Sequence, residues 1–185
     1  MNKNLLIALV VFAAGGWYYY SGGVSRGAFE NGVYSNAKNN FSLTFPAGWQ
    51  KAAEEDITPA NGFNIQVPSG TRPSLIVVAP APHKAVIFLR ESDHEAAGTK
   101  AFAMRAINAL TDAGVMGTKY RERAAEGALL NVIRAEQALA EGGYMYVAFF
   151  PGADKAFMLV SLGEKGYAPE LPEEFEKIAL SARRL

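Results

Sequence analysis

The strongest constraint on the fold comes from residues 40–49, Asn-Phe-Ser-Leu-Thr-Phe-Pro-Ala-Gly-Trp. Phe41, Leu43 and Phe45 alternate with two hydroxyl residues, which is the period-two pattern of a strand with one buried face. A Pro-x-Gly turn then stops the strand and brings Trp49 against the surface on which the strand packs. This stretch therefore predicts the first core strand of a folded domain.

The segment before it has a different composition. After Lys3, residues 5–20 form an uncharged apolar run that ends in Trp-Tyr-Tyr-Tyr. A retained signal anchor needs roughly 17–25 residues to span the bilayer, and aromatic residues are typical of its far interface. A cleavable secretory signal is the alternative, with small residues at the cut. The retained anchor is favoured.

Under either interpretation we expect the rest of the chain to lie outside the cytoplasmic membrane. We expect a single-pass protein whose domain is in the periplasm or outside, or a secreted protein if the leader is cleaved. The predicted organisation is a signal anchor or signal peptide at 1–24, a linker at 25–32 and one domain at 33–185. Residues 21–39 are rich in Gly, Ser and Asn and are expected to form a tether with at most a short edge strand at 32–35.

Charge and cysteine content exclude several classes of function. The formal net charge is zero, and the 18 lysines and arginines are scattered. Nucleic acid is therefore not an expected partner, because phosphate binding needs a concentrated basic face. The chain has no cysteine, which excludes disulfides, thiolate catalysis and thiolate metal sites.

The remaining pattern predicts an α+β fold, an antiparallel sheet with helices packed on it. Residues 92–95, Ser-Asp-His-Glu, are typical of a capping box and predict the start of a helix that runs to Gly114. Further strands are predicted at 63–67, 75–79, 85–89, 117–123, 128–139, 144–150 and 156–162, and a C-terminal helix at 169–183.

Aromatic residues on the 144–150 strand are the candidate partner contacts. Tyr144, Tyr146 and Phe150 would make a docking surface if they face outward, since Tyr and Phe are good interface anchors. The alternative is that Met145 and its alternating neighbours pack under one helix while the tyrosine face is covered by the C-terminal helix.

No pattern of reactive residues appears. His94 lies in the predicted capping box beside Asp93 and Glu95, and neighbours in a helix do not face one another. The acidic run at 54–56 lacks the spacing of a cation site. There is no nucleophile elbow and no phosphate-binding glycine loop. We therefore predict no catalytic residues, no metal and no cofactor; a spatial carboxylate pair stays open.

The chain resembles the DcrB/PsbP-like proteins over about residues 33–185. The matching segments are the aromatic-x-aliphatic-x-aromatic-Pro-x-Gly-Trp start at 41–49, the apolar strand at 74–80, the helix at 93–114, the Gly127-Ala128 turn, the aromatic hairpin at 144–162 and the closing Phe175-Glu176-Lys177-Ile178. The family motif ends in Ser-Phe, whereas this chain has Ser181-Ala182.

The resemblance implies an α/β/α sandwich built on a central antiparallel sheet, here preceded by an apolar N-terminal helix. Members are mostly non-enzymatic: extrinsic photosystem II subunits, bacterial envelope proteins and secretion chaperones. We expect a non-catalytic, membrane-tethered envelope domain that binds a protein partner. The alternatives are a cytoplasmic chaperone-like module for apolar helices of secreted clients and, third, an enzyme with an unrecognised acid/base site.

Overall fold

The computed structural model describes residues 27–58, 73–95, 98–112, 120–124, 131–138, 142–164 and 166–185. The predicted leader at 1–24 and the strand predicted at 63–67 lie outside these ranges. Within them, no helix is long and apolar enough to cross a bilayer.

The described residues form ten strands, two α-helices and one turn of 3-10 helix at Glu54–Asp56. Their bounds in chain order are β1 Ala28–Glu30, β2 Val33–Asn36, β3 Phe41–Thr44, β4 Gln50–Lys51, β5 Leu75–Val78, β6 Ala85–Glu95, α1 Thr99–Asp112, β7 Tyr120–Ala124, β8 Asn131–Ala138, β9 Tyr144–Pro151, β10 Lys155–Gly163 and α2 Leu171–Leu180.

The strands form two antiparallel sheets. The larger has seven strands in the order β4-β5-β6-β10-β9-β8-β7, and the smaller has the order β1-β2-β3. Helix α1 packs on one face of the large sheet. Helix α2 and the small sheet pack together on the other face. The predicted α+β class is confirmed, and the small sheet adds to the second helical layer.

Side-chain alternation along the central strands divides the interior into two cores. In β9, Met145, Val147 and Phe149 lie in the core beneath α1, and the residues between them lie in the core on the opposite face. Phe102 of α1 meets Phe149 edge-on, with ring centroids 5.4 Å apart. A central strand buried on both faces has a continuous apolar sequence for this reason.

The strand and turn predicted at 40–49 are confirmed as β3 and the bend after it. Phe41 is completely buried, and its ring stacks on Phe157 of β10 with centroids 4.3 Å apart and planes 8° apart. Trp49 is 5% exposed and lies edge-on to Phe175 of α2 at 6.3 Å. This segment joins the small sheet to the large sheet and to α2.

The capping box predicted at residues 92–95 is wrong. Strand β6 continues to Glu95, and α1 begins at Thr99. β6 stays paired with β10 as far as the Lys155–Glu95 pair, after a register shift between Lys155 and Phe157. Pairing with a distant hairpin therefore decides the conformation of a segment whose local sequence favours a helix start.

Strand β1 lies inside the range predicted as a linker. Asn31 and Gly32 have positive φ angles of 50° and 75°. A type I′ hairpin turn requires a positive φ at both of its central residues, and it matches the right-handed twist of the flanking strands. Phe29 of β1 packs edge-on against Phe45 at 5.5 Å. Asn31 and Gly32, which contribute to the linker-like composition, form this hairpin turn.

The C-terminal residues pair with β3 after α2 ends. Ser42 and Arg183 exchange two backbone hydrogen bonds of 2.9 and 3.0 Å. The Thr44 N–H also donates to Ser181 Oγ at 2.8 Å. These bonds hold the end of α2 against the small sheet.

Candidate functional site

Two of the three predicted partner-contact residues have no exposed surface. Tyr146 and Phe150 are 0% exposed and belong to the core that α2 and the small sheet cover. Phe41 lies over Phe150, with ring centroids 5.6 Å apart. The third residue, Tyr144, is half-buried at the start of β9. The alternative interpretation, in which the C-terminal helix covers this face, therefore describes Tyr146 and Phe150.

Tyr144 is one of two half-buried tyrosines that lie together beside the N-terminus of α2. Its ring centroid is 5.8 Å from that of Tyr167 and 6.2 Å from that of Phe175. We call Tyr144 and Tyr167 the tyrosine pair. Each residue keeps part of its surface exposed, and an aromatic body with a polar tip is typical of interface anchors.

Gly163 is the reason that Tyr167 approaches the sheet so closely. A Cβ at this position would lie 2.8 Å from Leu171 Cδ2 and 3.2 Å from Tyr167 Cβ. The connection between β10 and α2 therefore passes directly over a strand residue that has no side chain. The sequence alone does not indicate Tyr167 as a site residue, because nothing local shows that it faces a residue more than twenty positions away.

A separate cleft of about 640 Å³ lies beside the edge strand β4. It is lined by Gly27, Lys51, Ala52, Ala53, Glu54, Glu55, Pro73, Ser74, Leu75 and Ile76. Lys51, Glu54 and Glu55 are exposed, so the charged side chains at this edge carry both signs. The acidic run at 54–56 is the 3-10 turn at this edge.

Behind the cleft, a buried polar cluster joins the two sheets. Asn36 Nδ2 donates to the Tyr34 hydroxyl at 3.3 Å, and the Glu91 N–H donates to Ser74 Oγ at 3.1 Å. Burial of Tyr34 raises its pKa above the usual value of 10.0, and the nearby Glu91 carboxylate raises it further; hydrogen bonds from Asn36, Gly27 and Ser74 act in the opposite direction. The phenol stays protonated at neutral pH. Its hydrogen bond with Ser74 links the small sheet to the large one.

Within the described ranges, no group of three His, Asp or Glu side chains is close enough to hold a metal ion. His83 is half-buried, and its backbone N–H donates to the Pro80 carbonyl at 3.0 Å. The structure describes the backbone of His94 but not its side chain. The absence of a metal site is still a prediction for the chain as a whole.

Comparison with known proteins shows that this chain is similar in fold to solved structures. No family model matches the chain, and no curated protein matches it. The solution structure of cyanobacterial PsbP (CyanoP) from Synechocystis sp. PCC 6803 aligns with a TM-score of 0.54 at 12% identity, covering 92% of this chain and 100% of that one. A crystal structure from Bacteroides thetaiotaomicron aligns with a TM-score of 0.47 at 14% identity over 78% of this chain, which spans 45% of that one.

The alignment to CyanoP shows that the chain has a PsbP-like fold. The PsbP-like fold expected from residues 41–49 and the later matching segments is confirmed. The closer assignment to DcrB-like envelope proteins stays a prediction. At 12% identity the alignment carries no information about activity or partner.

Proposed function

We propose that this protein is a non-catalytic, membrane-tethered envelope domain that works by binding a protein partner. One observation carries the proposal: a PsbP-like domain follows an uncharged apolar run of signal-anchor type in the same chain. A binding domain that is kept at the bilayer gains effective concentration towards membrane partners. Export through the leader would place the domain in the periplasm.

The tyrosine pair is the surface that we propose for the partner. Tyr144 and Tyr167 are half-buried and lie against each other, and Tyr144 also lies against the buried ring of Phe175. Packing of this kind limits the rotamer freedom that would be lost on binding, so less free energy is spent on ordering the contact. A folded protein surface with a complementary pocket suits two adjacent phenol rings.

The chaperone alternative requires a groove that accepts an apolar helix. The best apolar candidates, Tyr146 and Phe150, are already covered by the small sheet and by α2 of the same chain. An incoming helix would have to displace α2, whose Phe175 and Ile178 are 0% and 1% exposed. This favours a partner that binds at the surface.

Site-specific photocrosslinking in cells tests the proposal. A photoreactive amino acid replaces Tyr167 in the full-length protein, and the control carries it at Lys38, an exposed residue in the turn after β2. We expect one discrete adduct from position 167 and none from position 38. Tyr144→Ala should abolish the adduct, and Tyr144→Phe should retain most of it, because the ring supplies the contact.

Two results would count against this contact surface. The first is the same set of adducts from both positions. The second is an adduct from position 167 that Tyr144→Ala leaves unchanged.

A further inference from the structure

The described chain begins at one particular end of the domain. Ala28 pairs with Ser35, so Gly27 lies beside the end of β2. At the same end, the Ala153 N–H of the β9–β10 turn donates to the Asn39 carbonyl at 2.7 Å. We call Gly27 and the turns at 37–40 and 152–154 the tether end.

The tyrosine pair lies at the opposite end. The Glu164 N–H donates to the Lys84 carbonyl at 2.8 Å, and the Tyr167 N–H donates to the Glu164 carbonyl at 2.9 Å. Tyr144 pairs with Gly163 in the last row of the β9–β10 ladder. We call Lys84, Glu164 and the tyrosine pair the distal end.

The sheet register gives the separation of the two ends. Tyr34, next to the tether end, interacts with Glu91, and Glu91 pairs with Phe157. From Phe157 to Glu164 the strand advances by seven residues, which is about 23 Å at roughly 3.3 Å per residue. The Gly27 backbone hydrogen-bonds to Tyr34, so Gly27 lies roughly this far from the level of the distal end.

The chain between the apolar leader and Gly27 is short by comparison. Only Ser-Gly-Gly-Val-Ser-Arg, residues 21–26, separates Tyr20 from Gly27. Seven fully extended links reach at most about 25 Å, and a flexible chain of this composition spans roughly 15 Å on average. The distal end would reach the bilayer only with the tether stretched almost completely along the domain.

We infer that the tether end faces the lipid headgroups and that the distal end, with the tyrosine pair, faces away from the membrane. This inference rests on the proposed function, because it requires the leader to stay in the bilayer. The exposed residues at the tether end include Ala37, Lys38, Ala153 and Asp154. Small and charged side chains of both signs suit a hydrated headgroup zone without insertion. The partner is then met at the side remote from the bilayer.

The cysteine-free sequence allows a direct test with two matched variants. Lys38→Cys labels the tether end and Lys84→Cys labels the distal end; both residues are exposed, and both changes remove one positive charge. Each full-length variant carries a donor dye on its cysteine and is reconstituted in vesicles with a headgroup-labelled acceptor lipid. Vesicle flotation first measures whether the protein is bound.

We expect both variants to float and energy transfer to be clearly stronger from position 38 than from position 84. Inserting about twelve Gly and Ser residues after Gly23 should reduce the difference, because the mean reach of the tether then approaches the length of the domain. Floating protein with equal transfer from the two positions, or stronger transfer from position 84, would overturn the orientation and leave the anchor intact. Protein that does not float would overturn the anchor and the orientation together.

Discussion

Replacing Phe41 by alanine tests whether the segment that opens the domain holds the two sheets together. The Phe41 ring is completely buried, stacks on Phe157 at 4.3 Å and lies 5.6 Å from Phe150. Truncating a buried Phe to Ala costs about 3–5 kcal/mol of unfolding free energy, and an aromatic pair is worth about 1 kcal/mol beyond its buried area. We therefore expect a loss of about 4–6 kcal/mol.

A loss of this size is a large share of the roughly 5–15 kcal/mol that stabilises a typical domain. At about 2–4 °C per kcal/mol for a chain of this length, Tm should fall by roughly 8–24 °C. The assay is urea unfolding of the full-length protein in mild detergent, followed by far-UV circular dichroism. The matched control is Phe29→Ala at the edge of the small sheet, where a half-buried ring contacts Phe45 and the expected loss is about 1 kcal/mol.

The reasoning would be refuted if Phe41→Ala lost less than about 2 kcal/mol. Equal losses in the two variants would also refute it, because the argument depends on the difference in burial and stacking.

Three further predictions concern single side chains. Gly48→Ala should lower the free energy of unfolding in urea by about 1–2 kcal/mol, because Gly48 has a φ of +92° and a Cβ there would lie 3.1 Å from Pro80. The control is Gly98→Ala, where a Cβ meets nothing within 4 Å, and its free energy of unfolding should not change. The pKa of Tyr34 is raised in the folded state, so the folded protein keeps a proton that the unfolded chain releases above about pH 10. The free energy of unfolding should therefore fall as pH rises through 10. In Tyr34→Phe the part of this decrease that Tyr34 contributes should be absent. Ser181→Ala removes the acceptor of the Thr44 N–H, so unfolding should show a loss of about 0.5–1.5 kcal/mol, and unchanged hydrogen exchange at the Thr44 amide would contradict the bond.

Much of the fold follows from local pattern. The alternation at 40–49 indicates β3, because a strand with one buried face alternates apolar and polar residues. The apolar runs at 75–79 and 144–150 indicate β5 and β9, because a strand buried on both faces is apolar throughout. The helix start was misplaced for the opposite reason. Ser92 to Glu95 have the sequence of a cap, but their pairing with β10 depends on residues some sixty positions away.

The candidate site was predicted only in part for the same physical reason. Alternation along β9 separated Tyr146 and Phe150 from the face beneath α1, which the structure confirms. Whether the Tyr146 face of β9 is exposed to solvent depends on α2 and the small sheet, and both are distant from β9 in the sequence. Tyr167 joins Tyr144 only because Gly163 lets the following connection pass close over the strand.

The most direct test of the central claim is where the domain lies relative to the membrane. Lys84→Cys gives one exposed thiol in an otherwise cysteine-free chain. Intact bacteria that express the full-length variant are treated with a membrane-impermeant maleimide, and their membranes are then washed with carbonate. A tethered envelope domain predicts that the thiol is modified before lysis and that the protein stays with the membrane pellet. Modification only after lysis would place the domain in the cytoplasm and contradict the account.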